Sequence, residues 1–174
     1  EGPTPEAGNG AAVFREADLI SVTGLNPDLF FDRIYDNTLN GLISDIVEIE
    51  GPVREDVLAR RIARAHGWAR TGSQICKRVV RLAKNRFPIT SEDVGLFFWP
   101  DKIDVGVWTT FRKPVENEVR PVDEIALPEL IALARELRLR GLDGEDAIVA
   151  MAHETGLQKL RTTSRERLER AWRE

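Results

Sequence analysis

The hydrophobic period changes within residues 36–99, and this change limits the fold more than any other feature. Apolar residues recur every three or four positions over about 36–49, 54–66 and 72–86, which predicts three amphipathic helices. Short apolar runs at Phe87–Ile89 and Leu96–Trp99 follow, on either side of a polar turn from Thr90 to Gly95. Three helices followed by a hairpin is the order of a winged helix-turn-helix. We therefore expect a mainly α-helical fold with a small β hairpin.

The rest of the chain divides around this unit. Residues 1–35 are predicted to be a flexible N-terminus followed by an anchoring arm. Residues 36–111 form the predicted winged-helix domain, residues 112–127 a polar linker, and residues 128–174 a helical C-terminal subdomain. The apolar residues expected to hold the arm along the core are Phe30, Phe31, Ile34 and Tyr35.

Two smaller predictions concern the second half of the chain. Residues 105–111 are a candidate for one more strand of the winged-helix domain. Helical spacing recurs at about 128–140, 144–155 and 162–173. These three stretches form the predicted C-terminal subdomain.

The C-terminal subdomain resembles a weak repeat of the first helical unit. Glu55-Asp56 has a counterpart in Glu145-Asp146, and Gly67 has one in Gly156, at separations of 89 to 90 residues. Two readings stay open. The subdomain is a degenerate repeat, or the likeness is the one that any two amphipathic helices share.

Positive charge is concentrated in one segment of an acidic chain. The net charge is −4, but residues 54–86 hold ten basic and two acidic residues, a net charge of +8. Residues 1–53 carry −8 and residues 87–156 carry −7. Because the local potential decides what a surface attracts, the acidic total does not exclude a polyanionic ligand.

The third predicted helix carries the most informative basic residues. Gln74, Lys77, Arg78, Arg81 and Lys84 recur every three or four residues and are expected to share one outward face. A recognition helix presents such a face to the major groove, where Arg and Gln bond to base edges and Lys neutralises phosphates.

Further residues extend this prediction. The first turn offers free backbone N–H groups near Thr71 and Ser73, and the second helix and its exit supply flanking arginines. The candidate DNA-contacting residues are Arg60, Arg61, Arg64, Arg70, Thr71, Ser73, Gln74, Lys77, Arg78, Arg81 and Lys84. Non-specific duplex binding is favoured, because nothing in the pattern fixes a sequence code.

Two considerations weigh against this prediction. Glu92 and Asp93, at the expected wing tip, would repel phosphate, so the wing is left out of the predicted contacts. The basic face also has a second reading, in which it pairs with the acidic arm at residues 16–36.

Residues suited to catalysis are scarce. His66 and His153 are the only histidines, and neither has a Cys or a second His at metal-ligand spacing. We expect both at the surface or beside helix caps, and Cys76 as a small buried hydrophobe. A phosphate loop and a nuclease pattern after Pro100-Asp101 are both lacking. We therefore predict no catalytic residue, metal site or cofactor.

The sequence also suggests where the protein acts. It has no apolar run long enough to cross a membrane and no signal peptide, which favours a cytoplasmic protein without a membrane partner. One cysteine suits a reducing compartment. Because the chain begins at Glu1 and not at Met, we expect the natural protein to extend upstream.

Several sequence runs resemble a known family. They are residues 14–18 (FREAD), residues 47–63, residues 70–73 (RTGS), residues 97–100 (FFWP) and residues 157–161 (LQKLR). Together they resemble a bacterial C-terminal domain of unknown function in very large superfamily-one helicase-like proteins. The resemblance covers most of residues 14–173.

In that family the parent chain carries a helicase core and often a nuclease domain similar to very-short-patch repair enzymes. The resemblance implies a non-catalytic accessory module of an ATP-dependent DNA helicase, in DNA repair or defence. Its partners would be duplex or junction DNA and the helicase core of the parent chain. The alternative is a protein-interaction or intramolecular docking module of the same protein.

Overall fold

A computed structural model describes residues 12–174. The first eleven residues of the predicted flexible N-terminus lie outside the described part. The described chain is mainly helical with one small antiparallel sheet, as expected. Its helices are α1 (Asp36–Glu50), α2 (Glu55–Ala65), α3 (Ser73–Lys84), α4 (Leu127–Leu139), α5 (Gly144–Glu154) and α6 (Thr162–Arg173), and its strands are β1 (Val53–Arg54), β2 (Ile89–Glu92) and β3 (Gly95–Phe98).

The sheet combines the predicted hairpin with a strand that the sequence does not reveal. Its order is β1-β3-β2, with Val53 and Ile89 both opposite Phe98. Strand β1 has only two residues, too few to show an alternating pattern. The turn is also shorter than predicted, because β2 continues to Glu92 and β3 begins at Gly95.

The first hydrophobic core lies between α1, α2, α3 and the sheet. The apolar stripes predicted for these helices face one another, with Leu39, Ile43, Leu58, Ile62 and Val79 fully buried. A stripe at helical spacing stabilises the fold only when a neighbouring element covers it. Most of the remaining positions of these helices are polar and exposed, and Glu50 and Arg78 are buried exceptions.

A second core lies between α4, α5 and α6, around Leu130, Leu133, Met151 and Leu168. The extra strand predicted at residues 105–111 is wrong: Val105–Val107 forms a 3-10 turn. The Asp104 carboxylate accepts a hydrogen bond from the Gly106 N–H at 2.9 Å, which favours this turn over an extended strand.

The segment predicted as a linker is tightly bonded to both cores. The Arg112 guanidinium donates to the carbonyl oxygens of Glu50 and Gly51, at 3.0 Å each, at the end of α1. It also pairs with the buried carboxylate of Glu129 in α4, at 2.9 Å, and Arg120 binds the same carboxylate at 2.7 Å. One ion cluster thus fixes α4 to the C-terminal end of α1.

The arm follows the first core only in part. Phe30 and Tyr35 are buried as expected, but Phe31 is 57% exposed and Ile34 is 82% exposed, so their predicted burial is wrong. The 3-10 turns at Pro27–Leu29 and Arg33–Tyr35 have three residues per turn, so neighbouring residues point in different directions.

His66 is not at the surface. His66 lies at the C-terminal cap of α2, which was one of the two predicted alternatives, but it is buried. Its Nδ1 lies 2.7 Å from the Ile62 carbonyl oxygen, which requires a donor, so Nε2 accepts from the Tyr35 hydroxyl at 2.8 Å. The histidine therefore ties the arm to α2. None of the helices in residues 12–174 has both the length and the apolar character to span a bilayer.

Candidate nucleic-acid interface

Helix α3 presents a stripe of polar and basic side chains to solvent. The helix forms because Ile75, Val79, Leu82 and Ala83 bury one side against the first core. The opposite side carries the exposed residues Ser73, Gln74, Lys77, Arg81 and Lys84, with Arg70 before the helix and Arg86 after it. We call Arg70, Gln74, Lys77, Arg81, Lys84 and Arg86 the α3 face.

The α3 face holds five cations without an acidic partner. None of Arg70, Lys77, Arg81, Lys84 and Arg86 forms an ion pair with any residue from 12 to 174. Arg86 is absent from the sequence-based set because it comes after Lys84, the last of the regularly spaced outward positions. The concentration of charge in residues 54–86 was the signal that included it. Thr71 is half-buried and Ser73 exposed at the start of the helix.

The outward orientation predicted for Arg78 is wrong. Its side chain is 7% exposed and donates to the carbonyl oxygens of Phe30 and Asp32, at 2.7 and 2.8 Å. It also pairs with the Asp36 carboxylate at 2.6 Å. Position 78 lies at the border between the exposed and the buried stripe, and the spacing rule that groups it with Gln74 and Arg81 does not resolve this border.

Two of the α2 arginines are also held by acidic partners. Arg60 pairs with Glu124 at 3.0 Å. Arg61 binds the buried carboxylate of Glu50 at 2.8 Å and the exposed carboxylate of Glu16 at 3.5 Å. Together with the exposed Arg64 they line a cleft formed with residues 114–124. No residue of α3 lines this cleft, so the cleft is distinct from the α3 face.

The acidic arm therefore covers only part of the basic segment. Its carboxylates Glu16 and Asp36 pair with Arg61 and Arg78. The cations of the α3 face have no such partner in the described residues. The sequence left open whether residues 16–36 cover the basic helix. In the structure they cover only the side of α3 that faces the core.

The hairpin tip is docked on the second half of the protein. Glu92 accepts from the Leu127 N–H at 3.0 Å, at the start of α4, and from the Arg167 guanidinium at 2.5 Å. Arg167 and Arg170 both reach the Asp93 carboxylate, at 3.3 and 3.6 Å. The acidic residues at the tip of the hairpin are therefore largely neutralised by α6.

The described residues offer little for covalent or metal chemistry. Burial, together with the negative charges of Glu55 and Asp56, raises the pKa of the Cys76 thiol, which keeps it protonated and weakly nucleophilic. In residues 12–174, no three His, Cys, Asp or Glu side chains come close enough together to hold a metal ion.

Comparison with known proteins gives one family match. Residues 28–77 match the family described as "Protein of unknown function (DUF3320)". The matched segment contains the second half of the arm, α1, β1, α2 and the start of α3. No curated protein and no solved structure matches the chain. Over this segment, which includes the first residues of the α3 face, the chain is similar to a domain of unknown function.

Proposed function

We propose that the chain is a non-catalytic DNA-binding module, and that the α3 face contacts the phosphate backbone of duplex or junction DNA. The observation that carries this proposal is a set of five unpaired, exposed cations, three on the outward side of α3 and one just beyond each end of the helix. Several other arginines of the first unit are held by carboxylates, as Arg61 and Arg78 are. A cationic stripe without acids attracts a polyanion and releases its counterions on binding.

The arrangement of elements supports the same proposal. We propose that residues 36–98 are a winged helix-turn-helix in which α3 is the recognition helix. The order α1-β1-α2-α3-β2-β3 and the sheet order β1-β3-β2 are those of that fold. In a helix-turn-helix the second helix of the motif lies in the major groove with its exposed side toward the bases. On this proposal Gln74, near the start of α3, would reach a base edge.

We propose further that the module serves a larger helicase-like protein in the cytoplasm, in DNA repair or defence. This part rests on the resemblance stated above and on the similarity of residues 28–77 to a domain of unknown function. The helicase core of the parent chain would be its other partner. On this proposal the module positions DNA for the core, and it neither hydrolyses ATP nor cuts DNA.

Fluorescence anisotropy with a labelled duplex tests the proposal. At low salt we expect saturable binding, with an affinity that is similar for duplexes of different sequence. Because phosphate contacts dominate, log K should fall linearly with log [salt], with a slope near −3 to −5 if about four or five cations neutralise phosphates. No binding at about 100 μM protein, a concentration at which even weak non-specific contacts register, would contradict the proposal.

A docking module is the second candidate, and one observation favours it. Leu29, Phe31 and Ile34 are exposed in the segment that holds the two 3-10 turns before α1, at 37%, 57% and 82%. Neighbouring exposed apolar residues are common where one protein surface covers another. A pull-down with the upstream helicase segment distinguishes the candidates: a stable complex that DNA does not displace, in a protein without DNA affinity, supports docking.

A further inference from the structure

We propose that α6 carries a second phosphate-binding face, which for all its members except Arg161 lies at positions equivalent to those of the α3 face. It consists of Lys159, Arg161, Thr163, Arg170 and Arg173, and we call it the α6 face. Its ligand is the backbone of the same duplex that α3 binds, so this inference rests on the proposed function of α3.

The first step is that α5 and α6 repeat α2 and α3. Helices α2 and α5 have 11 residues each, α3 and α6 have 12 each, and both pairs begin 89 residues apart. Gly67 and Gly156, also 89 residues apart, end the first helix of each pair with φ of 83° and 86°. In both pairs the residue after the glycine donates its backbone N–H to a carbonyl oxygen of the helix: Trp68 to Ala63, and Leu157 to Ala152.

Buried residues keep the same separation. Arg78 and Arg167, again 89 residues apart, are both buried arginines in the third helix of their unit. Arg78 Nε donates to the Phe30 carbonyl oxygen at 2.7 Å, and Arg167 Nε donates to that of Val122 at 3.1 Å, each just before its unit's first helix. The buried residues of α2 are Leu58, Ala59, Ile62 and Ala63, and those of α5 are Ala147, Ile148, Met151 and Ala152, position for position.

Any two amphipathic helices share a periodic apolar stripe. They do not share helix lengths, a left-handed glycine and a buried arginine at one constant separation. We therefore infer a repeat, and the positions of α6 can be compared one by one with those of α3.

The basic positions of α3 recur on α6. Arg70, Lys77, Arg81 and Lys84 correspond to Lys159, Glu166, Arg170 and Arg173 at the same separation of 89. All eight side chains are exposed. Three of the four positions keep a positive charge although the two sequences otherwise differ widely, which favours a shared ligand. Glu166 is the exception, and it predicts that the α6 face binds phosphate more weakly than the α3 face.

The α6 face is accessible. Arg161, Thr163, Arg170 and Arg173 line one surface concavity, beside the hairpin residue Asp93. Lys159, Arg161 and Arg173 form no ion pair with residues 12–174, and Arg170 has only the 3.6 Å contact with Asp93. A phosphate group that enters the concavity can therefore replace water around two unpaired cations, Arg161 and Arg173. Lys159 lies outside the concavity, and Asp93, Asp123 and Glu166 also line it.

The hairpin sets the position of α6 relative to α3. Strand β2 begins five residues after α3 and has four residues, a length of about 13 Å. Its tip ends against Arg167 and Arg170. In a winged helix the wing flanks the DNA beside the recognition helix. Here α6 neutralises the acidic tip and supplies the cations that this wing lacks, so we place both faces along one duplex.

A gain-of-charge variant tests the proposal without risk to the core. Glu166→Lys restores the α3 pattern on α6, and Glu116→Lys makes the same change of charge at an exposed residue that belongs to neither face. With a duplex of about 25 base pairs, long enough to span two adjacent grooves, we expect Glu166→Lys to raise affinity about 3- to 10-fold and the salt slope by about one. Glu116→Lys should change affinity less than 2-fold.

The opposite variant completes the test. Lys159→Glu with Arg173→Glu should lower affinity about tenfold and reduce the salt slope by about two. Suppose that Glu166→Lys binds DNA like Glu116→Lys, and that Lys159→Glu with Arg173→Glu binds like the unmodified protein, while charge reversal on α3 removes binding. This result would contradict the second face and leave the proposed function of α3 intact. If the unmodified protein binds no duplex, both fall.

Discussion

The double variant Lys77→Glu with Arg81→Glu is expected to bind duplex DNA about 100-fold more weakly than the unmodified protein at low salt. Both side chains are exposed on the α3 face and have no acidic partner in the described residues. Reversal removes two phosphate contacts and places two carboxylates against the DNA backbone. The salt slope should fall by about two, and anisotropy over a series of salt concentrations measures both effects.

The matched control changes the net charge by the same amount elsewhere. Lys102 and Arg135 are exposed and form no ion pair with residues 12–174. We expect Lys102→Glu with Arg135→Glu to lower affinity no more than about 3-fold, since distant charges are screened by salt. Equal losses in the two double variants would mean that only the net charge matters, and would contradict a specific α3 face. Arg78 is left intact because it anchors α3 to the arm.

Glu129→Ala is expected to lower the free energy of unfolding by about 3–5 kcal/mol. The Glu129 side chain is fully buried and binds the guanidinium groups of Arg112 and Arg120. Its removal leaves two buried or half-buried cations without a counter-charge. Because Arg112 also holds the C-terminal end of α1, the loss should loosen the contact between the two cores. Urea unfolding measures the change.

A conservative variant and a change of pH separate charge from packing. Burial opposes ionisation of Glu129, but the charges of Arg120 and Arg112 outweigh it and lower its pKa below the ordinary 4.5. The stability that its ionised form provides is therefore complete above pH 4.5 and is lost as the pH falls through the lower value. The difference between the unmodified protein and Glu129→Gln should shrink in that range. A difference in the free energy of unfolding that does not change with pH would contradict a stabilising charge cluster. A loss of stability in the Glu129 variants no larger than that of exposed Glu116→Ala would contradict it as well.

Local patterns were enough to predict the helices and most of the α3 face. The stripe of Ile75, Val79 and Leu82 predicts which side of α3 is buried, so Lys77, Arg81 and Lys84 follow as exposed. The burial of a charged residue at the edge of the stripe is harder to predict, because burial of Arg78 depends on carbonyl groups of the arm more than 40 residues away. A spacing rule within one helix contains no information on such partners.

Contacts between the two halves were beyond the sequence pattern for the same reason. Glu92 and Asp93 look like a repulsive wing tip, and only the fold shows that Arg167, over 70 residues later, neutralises them. The acidic and basic segments alternate along the chain, and that alternation predicts pairing without saying which residues pair. The two-residue strand β1 could not be predicted from the sequence because its pairing with β3 is its only regular feature.

Residue-resolved NMR during titration with an unlabelled duplex shows whether DNA binds at the exposed side of α3. We expect the amide signals of Gln74, Lys77, Arg81 and Lys84 to shift progressively, together with those at the start of α3 where free N–H groups meet phosphate. Signals of buried Val79 and Leu82 should move less. Saturable shifts confined to the apolar turns around Phe31 and Ile34, with α3 unchanged, would contradict it.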